Sequence, residues 1–136
     1  MTEHIIQSGK QKMNNNKGFT IIEMLTVIAI IGILASIATP SFQRSIVRAR
    51  EASLRNSLFI LRDVIDQHYA DHGEYPETLE VLTEKKYIRA VPKDPFTGSD
   101  ETWIEIPPEG EDLTGIYDIH SGSNKISLYG IPYNEW

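Results

Sequence analysis

The 136-residue chain contains no cysteine, and this absence removes several classes of protein. Without thiols there is no disulfide scaffold, no thiolate zinc site and no cysteine nucleophile. Basic side chains are also in deficit, with 13 Lys and Arg against 19 Asp and Glu and a formal net charge of −6. Because nucleic-acid binding depends on Lys and Arg contacts to phosphate, we expect no nucleic-acid partner.

Sequence signatures of enzymes are missing too, since the chain has no G-x-G-x-x-G, P-loop or serine-elbow motif. His68 and His72 have an i, i+4 spacing that can bind zinc, but no third ligand is apparent. Asp63 and Asp66 lie one helical turn apart, and a solvated helix face explains them more simply than an acid/base pair. We therefore expect that the protein is not an enzyme.

Apolar residues concentrate in one run, residues 19–39, which reads FTIIEMLTVIAIIGILASIAT. Its 21 residues carry a single charge, on Glu23. A bilayer core needs about 20 apolar residues in helical conformation, so this run is long enough to cross a membrane. It also lacks the polar face that a surface helix would show. We therefore predict a transmembrane helix over residues 19–39.

The pattern changes to that of an amphipathic helix over residues 40–72. Gly73 is a natural helix stop, and Pro40 should bend or loosen the helix because it lacks an N–H and clashes with the preceding turn. Apolar residues recur along this stretch at helical spacing: Leu54, Leu58, Leu61, Ile65 and Tyr69.

The chain after Gly73 consists of short pieces. We predict a helix over residues 77–82 and three strands over residues 102–106, 116–121 and 126–129. The expected fold class is α+β. A long N-terminal helix, with a hydrophobic half and an amphipathic half, would pack on a small C-terminal head, residues 73–136, that holds a short antiparallel sheet.

Charge is divided along the chain. Residues 41–55 carry four Arg and one Glu, whereas residues 56–136 carry six Lys and Arg and sixteen Asp and Glu, a net charge of −10. The basic group could contact anionic lipid headgroups, pair with acidic heads of neighbouring copies, or form a solvated helix face, and the sequence leaves these open. Its members are Arg44, Arg48, Arg50 and Arg55.

Three interpretations compete for the apolar run. A secretory signal peptide would be shorter and would not contain Glu23, and a plain single-pass anchor leaves Glu23 unexplained. In the third, the chain is cut between Gly18 and Phe19. The new amino group would then lie one helical turn, about 6 Å, from Glu23. A carboxylate in lipid needs a partner, and this amine can neutralise it within one subunit or between neighbours.

The third interpretation is supported by a resemblance. Residues 17–23, KGFTIIE, resemble the type IV prepilin cleavage motif. In that superfamily an inner-membrane prepilin peptidase cuts after the glycine and N-methylates the new phenylalanine. The resemblance therefore implies cleavage after Gly18, methylation of Phe19, and pairing of Glu23 with a neighbouring subunit's N-terminus. It also implies that the helix loosens between Gly32 and Pro40 in the assembled filament.

The rest of the chain most resembles the major, G-type pseudopilin of type II secretion systems. Residues 73–76, GEYP, resemble the end of the pseudopilin helix, and residues 91–98, VPKDPFTG, resemble the loop of the G-type protein. Residues 117–121 and 133–136 resemble its ending. The likeness extends over nearly the whole chain from Lys17 and implies the pilin fold.

The chain departs from that family at its calcium loop. G-type heads usually bind calcium in an acidic, glycine-rich C-terminal loop, but residues 121–125, SGSNK, have no carboxylate, and residues 130–133 stand where a ligating aspartate would be expected. Calcium prefers six to eight oxygen ligands with carboxylates among them. We expect no cofactor and leave calcium open as a weak alternative on a poor ligand set: Asp118, Ser121, Ser123 and Asn124.

The resemblance implies a structural subunit of a pilus-like filament that supports protein export. Residues 1–18 would be a cleaved leader, the N-terminus cytoplasmic and the head periplasmic. The implied partners are further copies of the chain, the prepilin peptidase, an inner-membrane assembly platform, minor pseudopilins and, before assembly, membrane lipid. A surface type IV pilin and a membrane-anchored periplasmic binding module that never polymerises remain as alternatives.

Overall fold

A computed structural model describes residues 2, 9 and 17–136. Most of the expected leader, residues 1–18, therefore lies outside the described residues. The chain divides into two compact units, Met1–Thr39 and Pro40–Trp136.

The first helix, α1, runs over Ile21–His72 and has 52 residues. It begins two residues after Phe19, where we had expected the helix to start, and it ends before Gly73, whose φ is +72°. The N–H of Gly73 donates to the carbonyl of Tyr69 at 2.8 Å, which closes the last turn. Pro40 lies inside α1. The loosening expected between Gly32 and Pro40 concerns the assembled filament and stays a prediction.

The N-terminal part of α1 is apolar on every side and exposed throughout. Every residue of the stretch 21–39 is exposed, and α1 is long and apolar enough to cross a membrane. Its few hydroxyls bond to the helix itself: Thr26 donates to the carbonyl of Ile22, and Thr39 donates to that of Ala35 at 2.8 Å. A hydroxyl that is satisfied in this way does not need water, so it is tolerated in lipid.

In the second unit, the amphipathic part of α1 supplies one side of a hydrophobic core. Its predicted apolar stripe is buried from Leu54 to Ile65, whereas Tyr69 is 40% exposed and stacks on Tyr75 with ring centroids 4.3 Å apart. The remaining chain covers this stripe with six buried residues: Leu79, Leu82, Trp103, Ile116, Ile119 and Tyr133.

The second helix, α2, runs over Leu79–Glu84 and not over residues 77–82 as expected. The predicted short helix is present, but it begins two residues later than expected because Pro76 does not open it. Pro76 is buried, and its carbonyl accepts the N–H of Ile116 at 2.8 Å. Glycine at position 115 allows the backbone before Ile116 to pass close to Tyr75. A Cβ at this position would lie only 2.8 Å from the Tyr75 carbonyl oxygen.

The sheet has two antiparallel strands, β1 over Ile104–Ile106 and β2 over Asp118–His120. In their register Ile104 faces His120, and Ile106 faces Asp118. Both strands are shorter than predicted, but they lie within the predicted segments. An α+β fold with a long N-terminal helix and a short antiparallel sheet is therefore confirmed.

The third predicted strand, residues 126–129, is wrong. The N–H of Gly130 donates to the carbonyl of Ser127 at 3.0 Å, and the Ser127 hydroxyl oxygen accepts the N–H of Ile131 at 3.2 Å. These bonds fold the segment into a turn that leaves only an isolated bridge between Ile126 and Pro132. A short 3₁₀ helix follows at Tyr133–Glu135.

Candidate assembly site and the contacts of the head

The expected cleavage point lies in exposed, irregular backbone directly before α1. Residues 17–20 have no regular secondary structure, and all four are exposed, with the Phe19 side chain 77% accessible. A peptidase needs an accessible, non-helical segment, since a peptide bond inside a hydrogen-bonded helix must first be unwound. The Gly18–Phe19 bond meets that requirement.

Thr20 and Glu23 form a capping box at the start of α1. The backbone N–H of Glu23 donates to the Thr20 hydroxyl oxygen at 3.2 Å, and the backbone N–H of Thr20 donates to the Glu23 carboxylate at 3.4 Å. Two N–H groups that a helix start leaves without partners are thereby satisfied by each other's residues. The sequence interpretation had assigned Glu23 to pairing with an N-terminal amine, within one subunit or between neighbours, and had missed the cap with Thr20, although T-x-x-E before an apolar run is the signature of this motif.

The capping box holds the only carboxylate of the apolar run in the first turn of α1. There Glu23 faces the positive end of the helix dipole. Its side chain is exposed, so its carboxylate is accessible to a cation outside this chain as well as to Thr20.

In the second unit, α1 contributes a buried carboxylate that the sequence interpretation missed. Glu51 is 3% exposed, and its Oε1 accepts the N–H of Leu128 at 2.9 Å and the hydroxyl of Tyr133 at 3.0 Å. Burial, together with this hydrogen bond to Glu51, raises the pKa of Tyr133 to about 12. Glu51 could have been found from its spacing, since it lies three residues before Leu54 on the buried stripe.

Arg62 joins α1 to β2 and to the last residue. Its Nε donates to Asp118 at 2.6 Å, and its Nη2 donates to the carbonyls of Ile119 at 3.0 Å and Trp136 at 2.9 Å. Partial burial raises the pKa of Asp118, but the Ile119 N–H and the Arg62 guanidinium outweigh this and hold that pKa below its usual range. Beside it, the Arg55 guanidinium lies 4.8 Å from the Trp136 ring centroid.

Two of the four weak calcium candidates, Asp118 and Ser121, are bonded to other side chains. Asp118 bonds to Arg62, whereas the Ser121 hydroxyl donates to Asp94 at 2.6 Å. Asp94 is fully buried and lies in the proline-containing loop before β1. The sequence interpretation included it in the G-type motif but gave it no role. An aspartate before a proline indicates a local turn, but nothing in the local sequence shows which distant residues its carboxylate contacts.

The two histidines of α1 are held at the helix end by hydrogen bonds. His68 is 1% exposed, and its Nδ1 donates to the Glu74 carbonyl at 2.9 Å while its Nε2 accepts from the Lys85 ammonium at 3.2 Å. His72 lies 3.3 Å from the hydroxyl of Tyr87. Within residues 17–136, no three His, Asp or Glu side chains converge as metal ligands.

Comparison with known proteins adds to this geometry. A family model described as the prokaryotic N-terminal methylation motif matches residues 13–39. The type II secretion system core protein G of Vibrio cholerae serotype O1 is 30% identical over 115 residues, which cover 74% of this chain and 78% of the relative. The protein of the same name from Klebsiella pneumoniae is 32% identical over 104 residues, covering 65% of this chain and 74% of the relative. The chain belongs to the type II secretion system core protein G family.

The chain is also similar to pilins. The type IV major pilin protein PilE1 of Neisseria gonorrhoeae is 39% identical over 61 residues, but these cover 45% of this chain and 37% of the pilin. No solved structure matches. The pilin-like superfamily and the G-type assignment expected from the sequence are thereby confirmed, and the chain is a pilin-like structural subunit.

Proposed function

We propose that this chain is the major pseudopilin of a type II secretion system. It is cut after Gly18, methylated at Phe19, and assembled from the inner membrane into a periplasmic filament that supports protein export. It is a building block and not an enzyme. The observation that carries the proposal is an exposed Gly18–Phe19 bond directly before a capped helix whose apolar side chains over residues 21–39 are all exposed.

The exposed apolar helix needs an environment that water cannot supply. Residues 21–39 are all exposed in the part of the chain that the structure describes, so lipid covers them before assembly and the helices of other copies cover them afterwards. Moving from lipid into a bundle of like helices keeps the apolar surface out of water. The helix therefore serves as a membrane anchor first and as filament core later.

Glu23 gives the assembly its register. Cleavage creates a cationic amine at Phe19, and a carboxylate on a helix in lipid is costly unless it meets an opposite charge. When the amine of an incoming subunit meets the Glu23 carboxylate of a neighbour, both charges are neutralised where the dielectric constant is low. A subunit that is shifted along the filament axis loses this pair, so the pair selects one axial position.

The remaining roles follow from the family. The N-terminus is cytoplasmic and the head periplasmic, a prepilin peptidase processes the chain, and an assembly platform with minor pseudopilins lifts it out of the membrane. The helix loosens between Gly32 and Pro40 on assembly.

Processing is tested by the mass of the protein extracted from membranes. The expected mass is that of residues 19–136 plus one methyl group. An intact leader, or cleavage after Ala38 as in a secretory signal, would contradict the proposal.

Assembly is tested by charge and cap variants that separate the two roles of Glu23. Because the chain has no cysteine, a single thiol introduced by Ile33→Cys reports contacts between copies by disulfide cross-linking in membranes. Glu23→Gln keeps an acceptor for the Thr20 N–H but removes the charge, so we expect normal cleavage and at least about a tenfold loss of cross-linked product, equivalent to about 1.4 kcal/mol.

Thr20→Ala is the matched control, since it removes the cap hydroxyl and keeps the carboxylate. It should cross-link nearly as well as the parent chain. If Glu23→Gln cross-links as well as the parent chain, the Glu23 charge does not set the register. If the parent chain itself gives no cross-linked product, the non-polymerising binding module is the better description. If electron microscopy shows long surface fibres that require this chain, it is a pilin of a type IV pilus.

A further inference from the structure

We propose that the head of this protein folds without calcium, because the buried Asp94 carboxylate anchors the loop in which G-type heads usually hold the ion. The loop in question is residues 121–131, named here the C-terminal loop. The proposal is independent of polymerisation and concerns only residues of the second unit.

Hydrogen bonds to Asp94 hold the start of the C-terminal loop in place. The Asp94 carboxylate is fully buried, and one oxygen, Oδ2, accepts the Ser121 hydroxyl at 2.6 Å and the Gly122 N–H at 3.1 Å. The other oxygen, Oδ1, accepts the N–H of Phe96 at 2.8 Å. Three donors thus satisfy a buried anion, and hydrogen bonds to an ionised group are among the stronger ones in proteins.

The polarity of these contacts is opposite to that of a calcium loop. Calcium requires a shell of six to eight oxygen acceptors directed inward, whereas here the loop directs N–H and O–H donors toward an anion. Its other hydroxyls serve local turns. Ser123 accepts the N–H of Lys125 at 3.3 Å, and Ser127 accepts the N–H groups of Tyr129 at 3.3 Å and Ile131 at 3.2 Å.

The carboxylate of Asp118 is engaged elsewhere. Its Oδ1 accepts from Arg62 at 2.6 Å and from the Ile119 N–H at 2.7 Å, and its Oδ2 lies 3.5 Å from His120 Nε2. A cation at Asp118 would have to displace a guanidinium. The residues present therefore do not fit a calcium ion.

Gly122 fixes the position of the C-terminal loop from a second side. A Cβ at residue 122 would overlap the carbonyl oxygen of Thr102, so this close backbone approach is open only to glycine. The loop is thus placed by Thr102 and by Asp94, both of which belong to the chain itself.

The test uses the full chain in detergent, because its sequence supplies convenient reporters. Both tryptophans, Trp103 and Trp136, lie in the head, so their fluorescence follows its unfolding. Lys125 is the only Lys or Arg after Lys93, so tryptic cleavage after Lys125 reports opening of the C-terminal loop. We expect the same unfolding midpoint and the same cleavage rate in excess calcium and in excess EGTA.

Asp94→Asn is the variant that breaks the anchor, and Asp100→Asn, an exposed aspartate of the same segment, is its matched control. Cleavage after Lys125 should become about tenfold faster in Asp94→Asn and stay unchanged in the control, with or without calcium. If Asp94→Asn does not fold, Ser121→Ala, which removes one donor, should still speed cleavage about threefold.

Two results would overturn the proposal. One is an EGTA-dependent loss of stability, or faster cleavage in EGTA, in the unaltered chain. The other is an Asp94→Asn protein that is cleaved no faster than Asp100→Asn.

Discussion

The two parts of α1 use similar side chains in opposite ways. Ile31 in the N-terminal part is 59% exposed, whereas Ile65 in the C-terminal part is fully buried against the head. Both residues lie in one continuous helix, so helix formation does not distinguish them. The difference is that the head packs over Ile65 but Ile31 stays exposed. The second unit completes its own core, whereas residues 21–39 are exposed along their whole length.

Polar groups show the same contrast. In the N-terminal part they are satisfied by neighbours in sequence, as when Glu23 caps with Thr20. In the second unit, the Glu51 carboxylate accepts the N–H of Leu128, which lies 77 positions away in the sequence. Hydrogen bonds between sequence neighbours leave a segment independent of the rest of the chain. Hydrogen bonds between residues that are distant in sequence make the second unit fold cooperatively.

The largest expected effect comes from matched Leu→Ala substitutions in the two parts of α1. Leu61 is fully buried, so Leu61→Ala should lower the free energy of unfolding of the head by about 2–5 kcal/mol. Leu34 is 62% exposed, and Leu34→Ala should change the free energy of unfolding by less than about 0.5 kcal/mol. Denaturant unfolding followed by tryptophan fluorescence measures both changes. Similar losses of stability in the two variants would contradict the contrast between the exposed and buried parts of α1.

The next effect concerns Glu51. Glu51→Ala leaves the Leu128 N–H and the Tyr133 hydroxyl without their acceptor, so we expect a loss of about 1.5–3 kcal/mol in the same measurement. Asp66→Ala removes an exposed carboxylate from the same helix and serves as the control, with little expected change. If both variants are equally stable, the buried contacts of Glu51 do not hold the head together.

The smallest effect depends on pH. The folded head holds the pKa of Asp118 below the unfolded value of about 3.9. Its contribution to stability is therefore present above that value and is lost as the pH falls through the lower, folded pKa. Asp118→Asn should be less stable than the parent chain at neutral pH, and the difference should shrink below about pH 4. Unfolding midpoints measured from neutral to acidic pH test this, and a constant difference would refute it.

Much of the fold was predictable from local pattern. The apolar run, the stripe from Leu54 to Ile65 and the stop at Gly73 each follow from periodicity or from the conformational freedom of one residue type. The segment at residues 126–129 was not, because alternating apolar residues are equally compatible with a strand and with the turn that Ser127 closes. The start of α2 was misplaced because the carbonyl of Pro76 bonds to Ile116, a residue far along the sequence.

The candidate assembly site was almost entirely visible in the sequence. Gly18, Phe19 and Glu23 lie within six residues, and their geometry is that of one helix start. The head's internal contacts were not visible, since Asp94 and Glu51 are ordinary acidic residues until their partners are known.

The sequence alone determined that this chain has an apolar helix without a polar face and with one carboxylate at its start, because both properties depend on residues that are neighbours along the chain. Only the tertiary structure decided which hydrogen bonds and ion pairs stabilise the head. It directs the Ser121 and Gly122 donors to Asp94 and pairs Asp118 with Arg62. The physical reason is burial, since a carboxylate removed from water must find donors wherever the fold brings them, and those donors come from residues that are distant in sequence.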